Sequence, residues 1–599
     1  MADRVIDNPI INSPYHAPTR HFKFDNDGIT DEIVDGRRPS AYFVPVPRAR
    51  KRNAQIELDL PELGLTADQI QPNHFVNAIR TQVERWRAMG YPNVTPTTRR
   101  LLEYWNDPNR DNPILFCQRE AAETAIYLTE AANKENPSIL NQLTKINKEY
   151  NDGLNRVALK MATGTGKTVV MAMLIAWQTL NKVASPNDKR FAKRFLVVTP
   201  GITIRDRLRV LLPEDDNNYY RLRDLVPAEL YGALHQAKIV ITNFHAFQRR
   251  ETKIGRGVAK TTKELLTSKA GASSPFLETI GQMIHRVVGE LGGSSEIVVL
   301  NDEAHHCYRD RVDDPSQGAE DSLKGEARKE AEGRNEQARV WFRGLQAVHA
   351  KLGIKTVYDL SATPFFLAGS GYKEGTLFPW VVSDFSLIDA IESGIVKIPR
   401  VPVNDNAATP DVTYLNLWRN ISNNLPKKGR KDATVSPEHL PPALEGALFS
   451  LYESYNKSYE DWENSEAARQ GEPPPVFIVV CNNTTVSKMV FDWISGYERV
   501  IDEENTVAVP GRLKLFSNVD EHGRWLSRPP SILVDSEQFE SGELSPEFRQ
   551  ALAHEIEQFK QEYARRFPGR SPDQVDDAVI LREVMNTVGK KGALGEHVR

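Results

Sequence analysis

Five short apolar runs punctuate the middle of the chain: RVALKMAT (156–163), RFLVVTP (194–200), KIVITNF (238–244), EIVVLNDE (296–303) and TVYDLSAT (356–363). Each is bounded by polar, Gly or Pro residues, and helix-like stretches lie between most of them. Continuous apolar strands alternating with helices predict an α/β fold built on a parallel sheet covered on both faces. Upstream, PNHFVNAIRTQVERWRAMG (72–90) and ILFCQREAAETAIYLTEAAN (114–133) repeat apolar residues at helical spacing. Residues 1–55, rich in Pro, Asn and Arg, predict an extended arm with a basic end, PRARKR (47–52). Residues 251–275 and 309–337 read as surface insertions, the second able to form a solvated helix. Residues 402–437 and 463–475 read as linkers or loops. After them, PVFIVVCNN (475–483) and SILVDSEQ (531–538) predict strands and VSKMVFDWI (486–494) a helix, as at the start of a second α/β domain.

Composition narrows the class. The 599 residues are 40% hydrophobic and 26% charged, as in an ordinary globular protein of several domains. A net charge of −4 supplies no global positive field, so contact with nucleic acid would have to come from local patches such as PRARKR and PKKGRKD (426–432). Cys117, Cys307 and Cys481 lie far apart, which argues against a disulfide framework and against a cysteine-rich zinc site. The first residues lack the apolar core of a signal peptide, and no run approaches the ~20 apolar residues of a membrane span. The expectation is a soluble, cytoplasmic protein.

The chemistry is concentrated at the ends of the apolar runs. In MATGTGKT (161–168) a strand feeds a Gly-rich turn and a helix follows, the setting of a phosphate-binding loop. Met161 stands where that loop's first glycine belongs and only begins the turn. Thr163, Gly164, Thr165 and Gly166 form the loop whose N–H groups can face phosphate at a helix N-terminus. Lys167 can reach the β- and γ-phosphates, and the Thr168 hydroxyl can hold Mg²⁺. EIVVL then runs directly into Asp302 and Glu303. Carboxylates at the carboxyl end of a strand suit Mg²⁺ (Asp302) and activation of an attacking water (Glu303). The same position after TVYDL is taken by Ser361, Ala362 and Thr363, small residues able to couple the nucleotide pocket to a neighbouring domain. A GTPase would need an N-K-x-D guanine-reading motif after the loop, and NKVA (181–184) ends in Ala.

In this order MATGTGKT, DEAH (302–305) and SAT (361–363) resemble motifs I, II and III of superfamily 2 helicases and translocases. The wider wording, GTGKT…NDEAHH…LSATPFF, is similar to the res subunit of type III restriction enzymes. The resemblance implies a RecA-like fold and four segments: an arm and helical region (1–110), a first RecA-like ATP-binding domain (111–400), a linker and insertion (401–474) and part of a second RecA-like domain (475–599). It implies ATP and Mg²⁺ as cofactors, with His305 joining Lys167, Asp302 and Glu303 as catalytic residues. It also implies Gln118 at the adenine, and Pro200, Gly201, Arg205, Thr242 and Asn243 beside nucleic acid. The partners implied are DNA, double-stranded rather than RNA, and a DNA methyltransferase (modification) subunit.

Two departures shape the functional expectation. No Q-x-x-G-R-x-x-R segment follows, although Gly511-Arg512, Gly523-Arg524 and Gly569-Arg570 occur, so the chain reads as stopping before the late helicase motifs. The lone E-x-K, Glu251-Thr252-Lys253, lies inside the first domain, and endonuclease activity therefore follows from resemblance alone. Two functions stand open at this level: an ATP-dependent DNA helicase or translocase module of a type III restriction-like system, and a nucleotide- and DNA-binding module without productive catalysis.

Overall fold

A computed structural model describes residues 8–25, 28–43, 70–201, 207–250, 277–292, 296–309, 326–367, 370–397, 440–500, 506–526 and 528–534, with scattered positions besides. PRARKR, PKKGRKD, Arg205, Glu251–Lys253 and the insertion at 251–275 lie outside the described residues. The chain divides into two compact units, Met1–Ile398 and Pro399–Arg599.

The first unit is organised by a six-stranded sheet. Its strands are β5 (Arg156–Met161), β6 (Arg194–Thr199), β7 (Lys238–Asn243), β8 (Ile297–Asp302), β9 (Ile354–Ser361) and β10 (Val381–Phe385). Their spatial order is β10-β5-β9-β8-β6-β7, with every neighbouring pair parallel. Five of the six are the runs read from the sequence, and the fold is the expected RecA-like α/β arrangement. The two faces of the sheet separate cleanly. Phe195, Val197, Val298 and Leu300 enter one hydrophobic core, while Leu196, Val198, Ile297 and Val299 enter another. A run that is apolar at every position is therefore a strand buried on both sides.

The helices are placed by their caps and stripes. α1 (His74–Ala88) starts where Asn73 Oδ1 accepts the Val76 N–H, and it buries Val76, Ile79, Val83 and Trp86. α2 (Pro96–Asn106) is capped by Thr95 and has Pro96 at its first position, where a missing N–H costs nothing. α3 (Phe116–Ile126) runs into a π-helical turn, Tyr127–Ala131. α4 (Lys167–Ala184) follows the Gly-rich loop, and its Val169–Asn181 stretch is buried throughout, so it is the central helix of one layer. On the other face lie α5 (Ile280–Val288) and α6 (Glu326–Leu352), packed around Met283, Ile284, Trp341 and Leu345. Thus the second half of the insertion expected at 309–337 is the start of a long helix. The N-terminal segment also departs from the expected extended arm: β1 (Arg20–Asp25) and β2 (Gly28–Asp35) form an antiparallel hairpin, and β3 (Ala41–Phe43) pairs antiparallel with β4 (Ile70–Pro72).

In the second unit, α7 (Pro442–Glu463) and α8 (Thr484–Ser495) share a core of Leu444, Leu448, Tyr455, Met489, Val490, Trp493 and Phe516. Its described strands, β11 (Gly496–Val500) and β12 (Thr506–Pro510), form an antiparallel hairpin. Residues 475–483 and 531–534, read as strand from their apolar runs, are not in strand, and Ile478 and Val480 are exposed. Apolar content alone cannot make a strand where no neighbour supplies the ladder.

Candidate nucleotide site

The sheet order brings the three motif-bearing strand ends side by side. β9 lies between β5 and β8, with Lys160 opposite Ser361 and Asp302 opposite Leu360. The ends of β5, β9 and β8 carry the Gly-rich loop, Ser361–Thr363 and Asp302–His305, respectively. This carboxyl edge is where ligands sit in open α/β sheets.

The loop begins one residue later than expected. Met161 does not start the turn: it is the last residue of β5, fully buried and opposite Phe385. A glycine is not needed there because the backbone is still strand. Gly164 and Gly166 take φ of +86° and +83°, a conformation that a β-carbon penalises. A β-carbon on Gly166 would also lie 2.3 Å from Gln118 Nε2. The loop is stitched by Thr165, buried, whose hydroxyl donates to the Ala162 carbonyl at 2.6 Å. Thr163 and Gly164 are exposed, and Gly166, Lys167 and Thr168 are half-buried. Lys167 and Thr168 open α4, so their N–H groups have no intrahelical acceptor and are free to meet an anion. Gln118 sits against this loop: its Nε2 donates to the Thr165 carbonyl at 3.0 Å and its Oε1 accepts the Leu115 N–H at 3.2 Å.

The acidic residues face the loop from β8. Lys167 Nζ lies 3.1 Å from Glu303 Oε1. Glu303 holds left-handed backbone angles (φ 48°, ψ 50°), unusual for a residue with a β-carbon and a mark of local strain. Asp302 is buried, and burial with the neighbouring Glu303 charge pushes its carboxyl up to about 6, against the pull of Lys167 and Arg207. His305 Nδ1 is 3.0 Å from Ser361 Oγ and 3.5 Å from Glu303 Oε2. Burial, with the adjacent His306, lowers the His305 imidazole to about 4, so it is neutral at physiological pH. Ser361 Oγ in turn accepts the Thr363 N–H at 3.1 Å. One chain of contacts therefore runs from Lys167 through Glu303 and His305 to Ser361 and Thr363, while Ala362 is half-buried between the last two.

The donor set suits a Mg²⁺–nucleotide. Two left-handed glycines, helix-start N–H groups and a lysine would face a phosphate, while the Thr168 hydroxyl and the Asp302 carboxylate are oxygen donors of the type Mg²⁺ takes. Cys307 is a different matter: its thiol is fully buried and pushed up to about 12 by that burial. Among the described residues no group of three or more His, Cys, Asp or Glu side chains is placed to hold a metal ion by itself.

Residues 118–366 match the family model of the type III restriction enzyme, res subunit. The segment is a helicase-type domain, and the match covers the Gly-rich loop, the DEAH turn and the SAT turn together. No curated protein and no solved structure matches the chain. No described helix is long and apolar enough to cross a membrane.

Within this matched segment the remaining candidates fall at the far side of the same edge. β6 pairs with β7, with Thr199 opposite Asn243, so Pro200, Gly201, Thr242 and Asn243 cluster at adjacent strand ends, all half-buried. The Thr199 hydroxyl donates to the Gly201 carbonyl at 2.8 Å, and Asn243 Oδ1 accepts the Ala246 N–H at 3.1 Å. Arg207, exposed, acts electrostatically on Asp302 from the segment after β6.

Sequence reasoning missed the support beneath the site. Arg156, fully buried, donates Nε to Asp359 Oδ2 (2.8 Å), Nη1 to Asn151 Oδ1 (3.2 Å) and Nη2 to the Cys307 carbonyl (2.8 Å). Asp359 also accepts from Trp380 Nε1 and Asn301 Nδ2, each at 2.8 Å. Asn301 precedes Asp302, Asp359 lies two residues before Ser361, and Cys307 closes the DEAH turn. This net thus ties together the strands that carry all three motifs. Its signal in the sequence is a charge set within each of two mainly apolar runs, Arg156 in RVALKM and Asp359 in TVYDL.

Proposed function

We propose that this chain is an ATP-dependent DNA helicase or translocase module of a type III restriction-like system. The observation that carries this reading is the convergence of Lys167, Glu303, His305 and Ser361 on one carboxyl edge beside buried Asp302. In this reading the Gly-rich loop and Lys167 hold the phosphates of ATP. Thr168 and Asp302 hold Mg²⁺, which when bound supplies charge neutralisation at the phosphates. Glu303 orients and deprotonates the attacking water. Phosphate competes with Glu303 for Lys167, so binding substrate loosens the Lys167–Glu303 pair and frees the carboxylate to act as a base. Glu303 also contacts neutral His305, and His305 contacts Ser361, giving a path from the reacting phosphate to motif III and onward to DNA. Pro200, Gly201, Thr242 and Asn243 offer hydroxyl, amide and backbone groups of the kind that contact DNA phosphates. Gln118, which bonds the Thr165 carbonyl of the loop, would read the adenine in this proposal. The module would act in the cytoplasm with a DNA-modifying methyltransferase subunit.

The test is ATP hydrolysis by the wild-type chain and Lys167→Ala, with and without duplex DNA. The expected result is DNA-stimulated hydrolysis in the wild type and background hydrolysis in the variant. Equal turnover in the two proteins would remove the assignment. Nucleotide and DNA binding with no hydrolysis by the wild type would favour the binding-only reading.

A further inference from the structure

The N-terminal segment reaches the phosphate loop by three separate routes. The first passes through the start of α3. The Pro14 carbonyl accepts the Phe116 N–H at 2.8 Å, filling one of the N–H groups that a helix start leaves without a partner. Arg37 grips both carboxylate oxygens of Glu120 with a two-pronged bond, and its guanidinium lies over the Phe116 ring at 5.2 Å. Burial alone would raise the Glu120 carboxyl, yet Arg37 holds it below the ordinary range. Arg119 Nη2 donates to the Tyr15 carbonyl at 2.8 Å. From the same helical turn, Gln118 reaches the Thr165 carbonyl in the loop.

The second route passes through the helix Leu387–Glu392, here α9, and the turn after it. The Glu392 carbonyl accepts the N–H groups of Ile11 (2.9 Å) and Asn12 (3.0 Å). Its carboxylate accepts the Phe22 N–H at 3.1 Å and a bond from Arg38. Ile10 packs so closely on Gly394 that a β-carbon there would lie 3.2 Å from Ile10 Cδ1. Two residues later, Val396 Cγ2 lies 3.3 Å from where a β-carbon on Gly164 would stand. The third route is polar and buried: Ser40 Oγ donates to Asp384 Oδ2 at 2.6 Å, and the other Asp384 oxygen pairs with Lys160 on β5, the strand that feeds the loop.

We propose that residues 8–25 and 28–43 form a clamp that holds the phosphate-binding loop ready for nucleotide, with Arg37 and Ser40 as its positioning residues. The proposal rests on the nucleotide reading of residues 161–168. Its physical basis is that a loop with two left-handed glycines has much conformational freedom to lose on binding. Its neighbours Gln118 and Val396 limit that freedom beforehand, and the residues flanking each, Phe116, Arg119 and Glu120 on one side and Glu392 and Gly394 on the other, are held by the N-terminal segment. Pre-ordering of this kind raises affinity by lowering what binding must order.

In the full chain, Arg37→Ala is expected to weaken ATP binding about tenfold, the scale of losing a charge-assisted bond, while kcat at saturating ATP stays within about twofold. Arg37→Lys, which keeps the charge, should recover part of the affinity. Ser40→Ala removes only a hydroxyl and should give a smaller loss of the same kind; it decides the matter if Arg37→Ala does not fold. Fluorescent-nucleotide titration, steady-state hydrolysis and thermal melting read these effects. Unchanged ATP affinity in both variants, or melting temperature and kcat falling while affinity holds, would overturn the clamp. A wild-type chain that binds ATP no better than Lys167→Ala would remove the nucleotide reading, and the clamp with it.

Discussion

Asp302→Asn should make the protein more stable and inactive at once. The Asp302 carboxyl is pushed from its ordinary 3.8 to about 6 by burial and by Glu303. A group whose pKa is raised in the folded state contributes stability that is complete below its unfolded pKa and lost as pH rises through the folded one. The rise is about two pH units, and each is worth 1.36 kcal/mol, so the ionised carboxylate costs the folded protein about 3 kcal/mol at pH 7.5. Asparagine has the same shape and no charge. The variant should therefore gain up to about 3 kcal/mol at pH 7.5, several degrees at about 2–4 °C per kcal/mol. At pH 5 the folded carboxyl is largely protonated but the unfolded one is still mostly ionised, so the gain should shrink to roughly half, about 1.5 kcal/mol, and vanish only below the unfolded pKa. Melting curves of both proteins at the two pH values, without Mg²⁺ or nucleotide, make the comparison. Mg²⁺-dependent hydrolysis should be lost in the variant, and in the wild type kcat/KM should fall as pH drops through about 6. A variant less stable at pH 7.5, or a gain of equal size at pH 5, would refute the reasoning.

Two further outcomes test the frame around the site. Arg156→Ala leaves Asp359 buried without its cation and should cost about 3–5 kcal/mol, read as a lower urea midpoint. Replacing both partners with apolar residues of similar volume should cost much less, and a cost equal to the sum of the single variants would contradict the paired role. Gly166→Ala places a β-carbon 2.3 Å from Gln118 Nε2 at a φ of +83° and should lower ATP affinity at least about tenfold, measured by nucleotide titration. Adding Gln118→Ala should recover only the steric part, because the backbone strain remains; full recovery would show that φ is unimportant there.

The difference between what the sequence revealed and what it hid follows from how each residue is held. Five strands were legible because their runs are mainly apolar over four or more consecutive residues, as strands covered on both faces are, although β7 at the sheet edge is only half-buried; the signal is contained within the run itself. β10 was not, because VVSDF has two polar residues at its centre. Asp384 is tolerated in a buried strand only through Lys160 and Ser40, which lie more than two hundred residues away. PVFIVV failed in the opposite sense: the run is apolar, but no described neighbour pairs with it. The hairpin and the docking of residues 8–25 and 28–43 escaped for the same reason as β10, since their anchors are single charges whose partners, Glu120 and Glu392, are named only by the fold. Within the site, the glycines and carboxylates were legible from spacing. The contact of His305 with Ser361 was not, because 56 residues separate them and only the β8–β9 pairing brings them together.

Two buried carboxylates on neighbouring strands show how this sheet divides its tasks. Asp359 on β9 meets Arg156, Trp380 and Asn301, and its net leaves no reason to attract anything further. Asp302 on β8 is also buried but shares its corner with a second carboxylate, and burial together with that charge raises its proton affinity. A folding sequence free to optimise both would have neutralised both, since each uncompensated buried charge destabilises the native state. The satisfied charge sits where three motif strands must keep register. The destabilised one sits where, in the proposed function, a divalent cation would bring the opposing charge. Frustration at Asp302 beside satisfaction at Asp359 is the pattern expected when a site trades stability for a ligand, in keeping with the Mg²⁺ site proposed on the carboxyl edge of β8.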